Sequence, residues 1–456
     1  MSKKSEAKAS GSMVLSSAGE VSELVKAAAH SNRLQVMALL SDGPKEFSFL
    51  LEKVGLSKTA LANHVQRVLE LGLVERIERG EYALTEDGRE LLGAIATFYE
   101  GSKARQIHAN KRVQEQYSKS YDKPENGERL VSKEPVYQPC WLSYLGAVSG
   151  ALKSLGKDRD VVDVGGYTGY AFITNVSRGM TCPSAPTCHS GWEDIVPATS
   201  MLGFRISNYE DNKCFPQSKP LSAEDHERAI KVFQIVKRSI DNDRPVVLWG
   251  LDIPEYGIVK GYKGESYLVS TYRTLNKMPD GPIRYDALDA PGCINAIMFK
   301  DEAPDMTEKD DKNALKRAVR FAEGTGLAHK NYVAGPEAYD EWADVLERES
   351  KELPSYLGNS YVSECYEEGN GLAAAFLIRF AKRYANGPQT EHLMKAAKEY
   401  ERAHKLMKKF TAIFPFAFEG DMSVGKRKKG AEILRQVKPH IVAAIDHMKR
   451  ANEAWK

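Results

Sequence analysis

The stretch from Leu56 to Arg79, LSKTALANHVQRVLELGLVERIER, constrains the fold of this chain more than any other. Ser57 has the chemistry of an N-cap, because its hydroxyl can accept a free backbone N–H of the next turn. Leu61, Val65, Val68 and Leu69 then recur at helical spacing and make one apolar stripe. The opposite face carries Lys58, Thr59, Asn63, His64 and Arg67, whose donors can reach phosphates and base edges. Gly72 can end the helix in the left-handed region. Leu73 to Ile77 alternates as a strand does, Arg79-Gly80-Glu81 reads as a turn, and Tyr82-Ala83-Leu84 as the return strand. A polar-faced helix leading into a basic hairpin is therefore expected.

Taken alone, such a helix is as often a solvated surface helix. Its neighbours decide the reading. Leu24 to Leu40 is helical with a polar break at His30-Ser31-Asn32-Arg33, and Phe47 to Val54 is a second short helix. Gly55 turns the chain into Leu56-Ser57. The order is helix, helix, short helix, turn, helix, hairpin. On the break before Arg33-Leu34, the turn Leu56-Ser57-Lys58-Thr59-Ala60-Leu61, Asn63-His64-Val65 and Leu69-x-x-Gly72-Leu73-Val74, residues 18–95 resemble the ArsR-type winged helix-turn-helix repressors. No cysteine lies here, so the metal-sensing chemistry of some such repressors does not carry over. The resemblance implies binding to double-stranded DNA as a homodimer. Thr59, Asn63, His64 and Arg67 would read bases, Lys58, Arg76 and Arg79 would hold phosphates, and Ser57 belongs to the same DNA-binding set.

At 456 residues the chain is too long for one ordinary core, so two or three domains are expected. The net charge of +2 means that nucleic-acid binding must come from a local patch. No run of eighteen apolar residues exists to span a membrane. The opening MSKKSEAKASGSM lacks the apolar segment of a signal peptide, and residues 1–17 read as a disordered arm. Six cysteines do not make a disulfide scaffold in this length, which points to a reducing, cytoplasmic location.

After the wing, Thr85 with Glu86-Asp87 caps a further helix carrying Leu91, Leu92, Ile95, Phe98 and Tyr99. Residues 96–120 continue it as a connecting or dimerisation helix. Residues 121–133, broken by Pro124 and Gly127, read as a linker.

A second region opens with Pro135-Val136-Tyr137-Gln138-Pro139-Cys140. Leu142, Leu145, Val148 and Leu152 are helically spaced, which sets Cys140 at a helix N-terminus. Peptide dipoles and free N–H groups there stabilise a thiolate. Val161–Val164 reads as a short strand, Gly165–Tyr170 as a tight loop and Ala171–Val176 as another strand. Pro245–Trp249, Tyr256–Tyr262, Ser266–Ser270 and Ile294–Phe299 read as four more. A cysteine-bearing helix followed mainly by sheet is the plan of papain-like cysteine peptidases and transferases.

Four motifs sharpen that likeness: Tyr137-Gln138-Pro139-Cys140, Gly166-x-x-Gly169-x-Ala171-Phe172, Cys182-Pro183-Ser184-Ala185-Pro186-Thr187 and Pro254-Glu255-Tyr256-Gly257-Ile258-Val259-x-Gly261-Tyr262. With Gly335-x-x-Ala338-Tyr339-x-x-Trp342, Cys365-Tyr366-x-Glu368-Gly369 and Phe414-Pro415, roughly residues 133–420 resemble the butirosin biosynthesis protein H family. Its named member is similar to acyltransferases that move an aminoacyl group onto an aminoglycoside amine. The expected architecture is thus multidomain α+β: a winged helix-turn-helix, a papain-like domain over 134–303, and a helical C-terminal region over 304–456.

A papain-like site needs a thiolate, an imidazole and a group orienting that imidazole. Cys140 supplies the first. The resemblance places the imidazole where this chain has Glu255 or Tyr256, and the orienting acid where Val269-Ser270-Thr271 offers only hydroxyls. His189 and His226 precede that strand and do not match the motif position. Glu255 close to Cys140 would raise the thiol pKa by like-charge repulsion. The same architecture suits a ligand cleft lined by Cys140, Trp141, Tyr167, Phe172, Trp249, Glu255 and Tyr256, with Glu255 pairing a cationic or amine-bearing ligand. Residue by residue, each aromatic is as readily plain core.

Cys182, Cys188, His189 and Cys214 lack the paired spacing of a structural zinc site, so free thiols are expected and no metal. Gly165-Gly166-x-x-Gly169 lacks the spacing of a dinucleotide loop and reads as a turn that lets backbone approach the cleft. No cofactor is implied. In the last region Ala314, Ala318, Phe321 and Ala322, then Tyr339, Trp342 and Leu346, then Leu393, Ala397, Tyr400, His404 and Met407 give amphipathic faces. Lys426-Arg427-Lys428-Lys429 reads as a solvated cluster, with DNA phosphate as the lesser alternative. Glu364 and Cys365 are candidates to face the cleft. The expected function is a DNA-binding transcription regulator whose papain-like part senses a small molecule. The alternative is a Cys140-dependent acyltransferase or amidohydrolase, with the winged helix as a regulatory or protein-contact module.

Overall fold

The computed structural model describes residues 13–78, 80–100, 127–215, 221–327, 329–348 and 355–455. The chain divides into two compact units, Met1–Ile107 and His108–Lys456. Residues 1–12 of the expected arm, Arg79, residues 101–120 of the connecting helix and residues 121–126 of the linker lie outside the described residues.

The first unit runs α1 (Ala18–Ala28), α2 (Ser31–Leu39), β1 (Lys45–Glu46), α3 (Phe47–Val54), α4 (Lys58–Glu70), β2 (Val74–Glu78), β3 (Glu81–Leu84) and α5 (Glu86–Glu100). Residues 13–16, expected within the arm, form a helical turn instead. The polar break is the start of α2: His30 adopts extended backbone and its Nδ1 accepts the Asn32 N–H at 3.2 Å. Gly55, at φ 70°, ends α3 in the left-handed region that glycine enters without a Cβ penalty. Ser57 caps α4 through the Ala60 N–H at 3.3 Å. At the far end the Leu73 N–H reaches back to the Val68 carbonyl at 3.0 Å, so the helix closes on Gly72. β2 and β3 pair antiparallel, with Arg76 opposite Tyr82, and β1 adds a third strand on the other edge of β3. Leu61, Val65 and Val68 bury fully against Val36, Met37, Leu40, Leu50, Leu73 and Leu84. That is the stripe the spacing required.

The second unit holds a seven-stranded antiparallel sheet. Its strands are β4 (Glu128–Leu130), β6 (Phe204–Glu210), β7 (Val246–Trp249), β8 (Tyr256–Lys263), β9 (Ser266–Ser270), β10 (Ile283–Arg284) and β11 (Asn295–Glu302). The order is β10-β9-β8-β7-β11-β6, with β4 also on β8. β4 falls in the expected linker, where its backbone pairs with Gly261–Lys263. A separate two-stranded ribbon joins β5 (Asn175–Ser177) to β12 (Tyr332–Ala334).

Helix α6 (Ser143–Ser154) packs on β7 and β8. Two glycines let it lie close against the preceding segment Val136–Gln138. A Cβ on Gly146 would sit 2.4 Å from the Gln138 carbonyl oxygen, and one on Gly150 2.2 Å from that of Val136. The expected strand at Val161–Val164 is instead the start of α7 (Val161–Thr168), nucleated by Asp160, whose carboxylate accepts the Asp163 N–H at 3.0 Å. A short apolar run fits a buried helix as well as a strand, and here the cap decides. The expected loop at Gly165–Tyr170 is therefore mostly helix, and of the expected strand at Ala171–Val176 only β5 remains, behind a 3-10 turn at Tyr170–Phe172.

The remaining α-helices among the described residues are α8 (Trp192–Ala198), α9 (Ala223–Asp241), α10 (Glu308–Ala322), α11 (Glu337–Glu347), α12 (Tyr356–Arg383), α13 (Thr390–Ile413) and α14 (Val424–Ala454). The three amphipathic faces read from sequence are buried, except that His404 is half-buried and its Nδ1 lies 2.8 Å from the Glu367 carbonyl oxygen. Sheet and helices share one contiguous core from Val131 to Trp455, so the boundary expected at 303/304 is not a break in packing.

Candidate functional site

Helix α4 presents Lys58, Thr59 and Asn63 exposed on the side away from its buried stripe. Ser57, His64, Arg67 and Arg76 are engaged within the first unit. The Ser57 hydroxyl is used in capping. The His64 ring packs on His30 at 4.4 Å between centroids, and its Nε2 lies 3.4 Å from Asn32 Nδ2. Burial, then the neighbouring His30 and Arg33 charges, hold His64 below its ordinary pKa, which favours the neutral, hydrogen-bonding ring. Arg67 pairs with Glu23 of α1 at 3.1 Å and with Glu70 at 3.3 Å. Such half-exposed pairs are worth about 0.2–1 kcal/mol, so a phosphate can replace the carboxylates at small cost. On the hairpin, Arg76 donates to the Tyr82 hydroxyl at 3.0 Å and lies over its ring.

In the second unit, Cys140 lies just before α6 and is buried. Its Sγ is 3.0 Å from Glu368 Oε2, on α12. The same oxygen accepts the Trp141 N–H at 2.8 Å and the Leu142 N–H at 3.1 Å. The free donors at this helix end, expected to stabilise a thiolate, are therefore spent largely on a carboxyl group. Burial and then Glu368 push the Cys140 thiol well above its usual range. Burial raises Glu368 as well. The pair sets a thiol that stays protonated against a buried carboxyl group. The approach to Cys140 is held from behind by Tyr137, whose N–H donates to Ser270 Oγ at 3.0 Å and whose hydroxyl donates to the Cys140 carbonyl at 2.8 Å.

Glu255, expected beside Cys140, hydrogen-bonds instead to the hydroxyls of Ser143 and Tyr361. Ser143 Oγ in turn accepts the Tyr256 N–H at 3.0 Å, which ties the start of β8 to the first turn of α6. Full burial lifts Glu255 to about 7, against the lowering effect of those two hydroxyls. Cys365, one turn before Glu368 on α12, is buried with its Sγ 3.8 Å from the Trp141 carbonyl oxygen.

The expected cleft set divides into three groups. Trp141 packs on Phe416 at 4.8 Å and on Tyr361 at 6.3 Å, close to the acid–thiol pair. Trp249 and Tyr256 lie 5.0 Å apart, and Tyr256 also joins a buried cluster with Tyr144 and Trp192. Tyr167 and Phe172 form the third group. Both pack on Phe376 of α12, Phe172 also packs on Tyr400, and the Tyr167 hydroxyl receives Arg383 at 3.0 Å. The cause is α7: a helix in place of the expected strand and loop sends Tyr167 to the core.

Cys182 lies 3.8 Å from the Tyr332 hydroxyl, Cys214 is exposed, and His189 is buried, stacked on Trp192 at 5.3 Å. Burial lowers His189 to about 4. Among the described residues no three His, Cys, Asp or Glu side chains converge on a point that could hold a metal ion. In the basic cluster, Arg427 is buried and donates to the Met422 and Leu346 carbonyls, so it caps structure and is not solvated. Glu368, Ser143 and Tyr361 had no assigned role in the sequence. The one signal was Glu368 within Cys365-Tyr366-x-Glu368-Gly369, and a separation of 228 residues from Cys140 leaves no spacing to read.

Residues 30–76 match the family model for bacterial regulatory proteins of the arsR family. The match covers α2 through α4 and the start of the hairpin, and it supports an N-terminal winged helix-turn-helix. No curated protein matches the chain. No helix among the described residues is long and apolar enough to cross a membrane.

Proposed function

We propose that this protein is a DNA-binding transcription regulator whose second unit senses a small molecule. The observation that carries the reading is α4, with Lys58, Thr59 and Asn63 exposed on a helix whose other face is fully buried, inside the segment matched by the arsR model. Such a helix enters the major groove, and the hairpin reaches the flanking backbone. Exposed Leu24 and Val25 on α1 and Phe98 on α5 are surface that a second copy covers in a homodimer.

The second unit is read as a papain-like module used for binding. Supporting this are the cysteine-led helix laid on an antiparallel sheet, and Glu255 joining the start of β8 to that helix. Cysteine-dependent acyl transfer needs an imidazole beside the sulfur to take its proton. A buried carboxyl group stands there instead, and it disfavours the thiolate. The deciding experiment measures binding of the full chain to DNA from upstream of its own coding sequence, with and without Asn63→Ala. Mass spectrometry of small molecules carried through native purification identifies the effector. Loss of retardation only in the variant supports the reading, and equal binding by both proteins overturns it.

A further inference from the structure

We propose that the exposed face of α13 and α14 is a second phosphate-binding surface for duplex DNA; this rests on the regulator reading above. Residues 13–100 carry nine Lys and Arg against thirteen Asp and Glu. A domain of that charge gains little from counterion release, the term that supplies most nonspecific DNA affinity. Lys58 and Arg76 offer few phosphate contacts, and further ones would come from elsewhere in the chain, whose net charge is only +2. Residues 390–454 hold fourteen Lys and Arg against eight Asp and Glu.

The excess is ordered in space. Lys395, Lys398, Arg402, Lys405 and Lys409 recur three and four residues apart along α13 and are all exposed. Helical rise spreads them over about 21 Å on one face. Alongside runs a groove of about 440 Å³ lined by Arg402, Lys405, Lys409, Gln436, Pro439 and His440. Glu399, largely buried, pairs with Arg402 and lies 2.7 Å from His440 Nδ1, which fixes the groove wall. Glu391 holds Lys395 at the near end. The cations run beyond the groove along the helix. A small anion needs only the groove, whereas a polyanion with closely spaced phosphates uses the whole row, and this favours the duplex.

The test is the salt dependence of DNA binding by the full chain, compared with Lys398→Gln/Lys405→Gln/Lys409→Gln and, separately, Asn63→Ala. All three lysines are exposed, and circular dichroism checks that the fold is kept. The lysine variant is expected to flatten the slope of log affinity against log salt by roughly two to three, and to weaken binding about tenfold or more at moderate salt, equally for specific and unrelated duplexes. An unchanged slope overturns the proposal while leaving the α4 reading intact. Loss in the lysine variant with none in Asn63→Ala overturns the α4 reading and keeps this one. Inorganic triphosphate binding that the lysine variant loses, with DNA binding unaltered, assigns the groove to a small anion and overturns the duplex. Absence of DNA binding by the wild-type chain overturns both.

Discussion

Glu368 Oε2 gathers three donors at the start of α6, namely Cys140 Sγ at 3.0 Å and the backbone N–H groups of Trp141 and Leu142 at 2.8 and 3.1 Å. The carboxyl group does the work of an N-terminal cap from a distant helix. It also keeps the sulfur protonated, because a second negative charge in the same buried site is costly.

A chemical consequence follows for the thiols. An aromatic disulfide reagent added to the native protein modifies exposed Cys214 first and leaves buried Cys140 and Cys365 unmodified on the same timescale. In Glu368→Ala the two N–H groups lose their acceptor, at about 1–3 kcal/mol, and Cys140 labels faster relative to Cys214. Peptide mass mapping reads both rates. Fast labelling of Cys140 in the wild-type protein contradicts the arrangement.

Gly166 sits on α7 where a Cβ would lie 2.0 Å from the Phe376 ring. The ring is fully enclosed and stacks on Phe380 at 5.1 Å, so it has little room to move. Gly166→Ala is expected to destabilise the second unit by about 1–3 kcal/mol through overpacking. Gly93→Ala meets nothing within 4 Å and serves as the control. Urea midpoints with unchanged slopes separate the two variants, and equal midpoints count against the close approach.

These two sites mark what the sequence disclosed and what it withheld. Along α4 the signals are local: a cap, a stripe at helical spacing and a glycine stop lie within sixteen residues, and all three reappear in the structure. The strands from Pro245 to Ser270 were equally readable, since alternation and turn glycines are short-range signals. Val161–Thr168 misled because its four apolar residues satisfy either period and the deciding cap, Asp160, stands outside the run. Gly166 is a close approach, but on a helix against α12 and not in the expected turn toward the cleft. Glu368 could not be found, because only the folding of α12 against α6 brings it to Cys140.

Two buried groups set opposing pH trends. Glu255 is lifted from near 4.5 to about 7, so between those values the folded state keeps a proton that the unfolded chain has released. Stability from this group therefore falls as pH rises through that window, by about 3 kcal/mol at most. His189 is lowered from 6.5 to about 4, so over that window the unfolded chain binds the extra proton. Stability from His189 rises with pH by a similar amount, and the two trends largely offset between pH 4.5 and 6.5. Glu255→Gln should leave stability rising with pH, and His189→Phe should leave it falling. Denaturant titrations at pH 5 and 6.5 read the two slopes; parallel behaviour in both variants contradicts the assignment.

Within the first unit, packing and reading reside on opposite faces of one helix, so they can be separated by mutation. Leu61 is fully buried in the core of the first unit, and Leu61→Ala removes that packing at about 2–5 kcal/mol. Asn63, two residues on, is exposed, and Asn63→Ala leaves stability within about 0.5 kcal/mol. If Asn63 reads a base edge, its loss weakens specific binding by about 1–3 kcal/mol while unrelated duplexes are bound as before. Lys58→Ala should instead weaken all duplexes alike and flatten the salt dependence by roughly one phosphate contact. Fluorescence anisotropy on a specific and an unrelated duplex at two salt concentrations resolves the four proteins. A specific loss in Lys58→Ala, with a uniform one in Asn63→Ala, would mean that α4 lies in the groove in another orientation.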